Sequence, residues 1–83
     1  MYTYRREFAM LNPEKVRVVL HYVRSTTDAL QRVCVRLAQA LDNPRYLSDV
    51  YDNFTLANED FMLAVREFDS FAKLVEDERQ VNA

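Results

Sequence analysis

Not one of the 83 residues is glycine. Tight β-hairpin turns, phosphate-cradling loops and left-handed helix caps all draw on glycine for backbone positions that other residues resist. Its absence disfavours a β-rich fold, a P-loop and a dinucleotide-binding fold together. What remains is an all-α fold. Hydrophobic residues make up 49% of the chain, which excludes a disordered tail. A chain this short buries only about 60% of the surface its unfolded form exposes, so small scaffolds usually add a disulfide, a metal or a second subunit. Cys34 is the only cysteine and His21 the only histidine, so an internal disulfide is impossible and no metal or cofactor site is expected. Well-packed helices, a partner chain, or both are left.

Two Asn-Pro pairs punctuate the sequence, Asn12-Pro13 and Asn43-Pro44. Each reads as an N-cap followed by proline at the first helical position, where the missing N–H is not needed. The residue before a proline resists helical geometry, so each pair also ends what precedes it. The expected organisation is one domain: a short helix over 3–11, long helices over 13–42 and 44–79, and a frayed tail over 80–83. The N-terminal segment places Tyr4, Phe8 and Leu11 at helical spacing, with an unpacked aromatic arm as the alternative. "VRVVLHYV" is rich in β-branched residues and could be a strand, but the helical rhythm runs through it. "STTD" at 25–28 resembles a capping box, and "TLAN" or "NEDF" could also start a helix, so four shorter helices are the competing arrangement.

The first long helix carries Val16, Leu20, Val23, Thr27, Leu30, Cys34, Leu37 and Leu41 in alternating steps of four and three, which is a heptad seam. Leu47, Tyr51, Phe54, Asn58, Phe61, Val65, Phe68, Ala72 and Val75 keep the same rhythm in the second. A flanking apolar row accompanies each: Val19, Val33 and Ala40, then Val50, Ala57, Ala64 and Phe71. Three apolar positions per heptad suit a bundle better than a bare two-stranded coil. A lone hairpin would leave much of this surface wet. The expected architecture is therefore a long antiparallel hairpin that pairs with a second copy into a four-helix bundle. In such a hairpin Asn58 falls near the level of Thr27. A hydrogen bond between them would form a polar layer that fixes register, the reading set against a binding role for Asn58.

Little here suggests catalysis. One histidine and one cysteine cannot supply a Ser-His-acid or Cys-His set. His21 reads as a surface or rim residue rather than a general base. Cys34 sits at a seam position, where a free cysteine behaves as a small hydrophobe rather than a reactive thiol. The many carboxylates of the second helix read as a solvated acidic face, and no Glu-x-x-His pair of the di-iron type is present. No enzymatic activity is expected.

Charge divides unevenly, with a net of +4 over residues 1–45 and −6 over residues 46–83. Arg17, Arg24, Arg32 and Arg36 decorate the first long helix beside its apolar stripe. They could pair with acids of the second helix in the same or another subunit, be solvated, or contact nucleic acid. The acidic second helix would weaken a phosphate-binding field. Tyr2, Tyr4 and Phe8 could anchor an interface, since tyrosine offers area at low entropic cost.

"LDNPRYLSDVY" resembles the turn of type III secretion needle subunits, which are similarly short helical hairpins with an Asn-Pro turn followed by Leu and Tyr. The likeness covers about ten residues. The C-terminal "VEDERQVNA" departs from the apolar end those subunits use for polymer contacts, and a polymer-forming role is not carried over. The secreted helical-hairpin family marked by Trp-x-Gly is similar in topology, but this chain has neither residue. Small phage and plasmid regulators share this size and helical character, a likeness of class that does not fix function. No apolar run approaches the roughly 20 residues of a membrane helix, and "MYTYRREFAML" is a poor signal peptide. A cytoplasmic protein of a bacterium or a virus-infected cell is the default expectation. The functional expectation is a non-enzymatic protein–protein interaction module, an adaptor, chaperone or inhibitor acting by occlusion or scaffolding. A small nucleic-acid-binding regulator using the four arginines is the first alternative, and a hairpin subunit of a secretion or phage assembly the second.

Overall fold

The computed structural model describes residues 11–82. Among them there is no strand: the chain forms helix α1, Pro13–Ala40, and helix α2, Tyr46–Phe68, then a 3-10 turn, Asp69–Phe71, and helix α3, Ala72–Asn82. The short helix expected over 3–11, with Tyr2, Tyr4 and Phe8, lies outside the described residues apart from Leu11.

The first Asn-Pro pair acts as an N-cap. Asn12 is extended (φ −79°, ψ 117°), and its Oδ1 accepts the backbone N–H of Glu14 at 2.9 Å, with Pro13 opening the helix. The second pair makes the same side-chain bond, from the N–H of Arg45 to Asn43 Oδ1 at 3.1 Å. Here, however, the first turn is tight. Tyr46 N–H donates to Asn43 O and Leu47 N–H to Pro44 O, so regular α-helix begins at Tyr46, two residues later than Pro44. α1 ends with equally tight bonds, from Leu41 N–H to Ala38 O and from Asp42 N–H to Gln39 O. A reversal built this way needs no left-handed residue. Among the described residues none has a positive φ.

Neither long helix breaks where threonines interrupt its pattern. Thr26 and Thr27 donate to the carbonyls of Tyr22 and Val23, four residues back, and Thr55 does the same to Tyr51. The hydroxyls are satisfied inside the helix and do not cap a new one. The interruption falls instead at Asp69-Ser70, correcting the expectation of one helix over 44–79. Ser70 Oγ donates to Glu67 O at 2.8 Å, competing for a backbone acceptor of the helix. Phe71 is buried there and meets Phe68 edge-on, with ring centroids 5.7 Å apart. Beyond it α3 continues through Asn82.

α1 and α2 pack antiparallel, and their register is set by three polar contacts. Ser25 Oγ donates to Asp60 Oδ2 at 2.5 Å, Arg32 Nε donates to Asn53 Oδ1 at 2.8 Å, and Arg36 pairs with Asp49 at 3.4 Å. As α1 advances by seven and then four residues, α2 retreats by the same steps. Lys15 and Glu67 pair at 3.6 Å toward the open end, and the Arg36 guanidinium lies 5.2 Å from the centre of the Tyr46 ring.

The residues that α1 and α2 bury against each other are not those of the strongest apolar heptad. The buried set is Ala29, Val33, Val50, Ala57, Ala64 and Phe71, with Ala29 wholly inaccessible. Val19, Tyr22, Thr26, Arg36 and Ala40 of α1 and Tyr46, Asn53, Asp60, Leu63 and Glu67 of α2 are half-buried around them. The seam of the hairpin thus runs through the flanking row. It is turned by about 100°, one residue, from the seam expected. Alanine at heptad spacing lets two helices approach closely, which larger side chains prevent. The contact is correspondingly thin, and among the described residues no large side chain is completely buried.

Candidate functional site: an exposed apolar face

Turning the seam leaves the strongest apolar heptad on the outside. Leu20, Val23, Leu30 and Leu37 of α1 and Leu47, Tyr51, Phe54, Phe61, Val65 and Phe68 of α2 are all exposed, as is Leu41 at the turn. In each helix these positions lie one residue further along the chain than the seam. Because the helices are right-handed and run in opposite directions, that step turns both rows toward the same side of the hairpin. They form one face two helices wide, with Val23 level with Phe61 and Leu30 level with Phe54.

The opposite side is polar. Ser25–Asp60, Arg32–Asn53 and Arg36–Asp49 lie along it, and Asn53 Nδ2 donates to Asp49 O at 2.9 Å. Val18, Val35 and Leu56 are exposed there as scattered apolar residues. A shallow groove of about 520 Å³ is lined by Asp28, Gln31, Arg32, Val35 and Arg36. All five belong to α1. With no facing wall, the groove cannot enclose a ligand as a binding pocket does.

The structure does not gather the four arginines. Arg17 is bound to Glu14 of its own helix at 2.7 Å, and Arg24 lies on the same outer flank of α1. Arg32 and Arg36 tie α1 to α2 on the polar side, so of the four only Arg36 pairs with an acid of α2. Phosphate binding requires clustered positive potential, and this arrangement does not concentrate it. His21 is exposed and meets Tyr22 edge-on at 5.4 Å. Cys34 is exposed on the apolar face, which corrects its expected place in the core of the hairpin.

Thr27 and Asn58 also need correction. They are level with one another, as expected, but both are exposed, and Thr27 Oγ1 donates to Val23 O at 3.0 Å. They occupy the two outer edges of the apolar face, one on each helix, which separates them by the width of the hairpin. No bond within one chain joins them. They form a polar row across the middle of the apolar face.

Among the described residues no group of three or more His, Cys, Asp or Glu side chains is placed to hold a metal. No helix among them is long and apolar enough to cross a membrane. The chain matches no protein-family model, no curated protein and no solved structure. The face missed by sequence reasoning was present in the pattern but assigned to the wrong contact. The overlooked signal was the small-residue row, Ala57 and Ala64 seven residues apart, with Ala29 in the other helix.

Proposed function

We propose that this chain is a non-enzymatic protein–protein interaction module that assembles through the apolar face. In this reading two hairpins pair through that face into a four-helix bundle. The bundle acts on a larger protein by scaffolding or occlusion and performs no chemistry of its own. The observation that carries it is the contiguous exposure of eleven large apolar side chains, from Leu20 to Phe68, on one side of the hairpin. Contiguous apolar surface of this extent marks an interaction site, whereas scattered exposed residues need no explanation. The hairpin is also one helix layer thick, with extents of 63 × 27 × 15 Å, and stable domains place at least two layers around a core.

The test compares charge insertion on the two sides. The double variant Leu30→Asp with Phe54→Asp is expected to elute as a single chain by size exclusion with light scattering, with reduced helicity by circular dichroism. Val35→Asp, on the polar side and similarly exposed, should keep the parent mass and helicity. A Leu30→Asp, Phe54→Asp protein with unchanged mass and helicity would overturn the reading.

A further inference from the structure

The area of the face and its polar row point to one occupant. A compact monomer of 9.8 kDa exposes about 5,200 Å², whereas this chain exposes 6714 Å². The excess is larger than the roughly 800 Å² per partner of a standard interface and falls in the range of obligate dimers.

Resting on the reading that the apolar face binds protein, we infer that its occupant is a second copy of this chain, seated with its turn at the same end. Each α1 then lies on α2 of the other copy, and Thr27 meets Asn58 across the interface. Face-to-face pairing about a two-fold axis allows only two aligned arrangements. With turns at the same end, α1 covers α2 of the second copy; with turns at opposite ends, α1 covers α1 and α2 covers α2.

Two observations separate them. The inner row of α1 is aliphatic (Val16, Val23, Leu30, Leu37) and that of α2 mostly aromatic (Phe54, Phe61, Phe68). Crossed stacking sets Phe61 against Val23 and Phe54 against Leu30, large against small in each layer. Like-on-like stacking would crowd phenylalanines on one side of the bundle and leave the other thin. Finally, crossed stacking brings the edge carrying Thr27 over the edge carrying Asn58 at the same level, twice by symmetry. A hydroxyl and an amide that are exposed in the single hairpin then become partners. This is the register device expected of these two residues, acting between chains instead of within one.

Cysteine cross-linking reads the arrangement directly. In a Cys34→Ser background, Thr27→Cys alone, Asn58→Cys alone and the two together are treated with a short bifunctional maleimide and run on a denaturing gel. The double variant is expected to double its covalent mass, while each single variant stays at the mass of one chain. Single variants that double their mass as readily as the double would overturn the arrangement in favour of turns at opposite ends. A dimeric mass in solution with no cross-link in any variant would also overturn it and leave the apolar interface standing. A monomeric mass in solution would remove both the arrangement and the dimer on which it rests.

Discussion

Two adjacent residues state the residue-scale argument most sharply. Phe61 is 54% exposed and Met62 is 55% exposed, so within one hairpin they are nearly equivalent. They differ in direction. Phe61 points out from the apolar face, and Met62 lies on the outer flank of α2. An exposed residue with no further partner tolerates truncation within about 0.5 kcal/mol. A phenylalanine buried in an interface loses about 3–5 kcal/mol on truncation to alanine. Phe61→Ala is therefore expected to lower stability by several kcal/mol, and Met62→Ala by almost nothing, as measured by urea denaturation at fixed protein concentration. Equal effects would mean that Phe61 is as solvated in solution as it is in the single hairpin. The same scale explains why Asn58 was hard to assign from sequence. Its place at a heptad position was legible, and so was its level with Thr27. Its distance from Thr27 was not, because that depends on which side of α2 faces α1.

At the scale of elements, both helix starts were legible because an Asn-Pro pair is a local signal whose chemistry is complete within four residues. The two extra residues of turn before α2 were not, since they reflect the 3-10 bonds that close a reversal without glycine. The choice of seam was illegible for a related reason. Hydropathy ranks Leu and Phe above Ala, yet two helices of one chain can pack on alanine and keep their large side chains for another surface. The interruption at Asp69-Ser70 has a consequence for α3. The register places Pro13, the start of α1, beside residues 72 and 73, so most of α3 has no part of α1 alongside it. A helix of 11 residues depends on what packs against it, and α1 supplies little of that to α3. Amide hydrogen exchange is expected to be much faster in Glu76–Asn82 than in the middle of α1 and α2, where opening requires separating the hairpin. Protection in α3 equal to that around Ala29 and Ala57 would mean that another element packs on it.

Over its described residues the molecule is a single layer whose buried set holds three alanines, two valines and one phenylalanine. Ordering a chain costs about 1–2 kcal/mol per residue in backbone entropy alone, and small chains rely on ample apolar burial or an added staple to offset it. The eleven large side chains on the exposed face supply that burial only when something covers them. If the proposed pairing holds, folding and association are coupled, and the stability of the hairpin depends on protein concentration. Sedimentation equilibrium of the unaltered chain at micromolar concentration tests this most directly. The expected result is a mass twice that of the 9.8 kDa chain, falling on dilution together with helicity. A single-chain mass with full helicity at that concentration would contradict it.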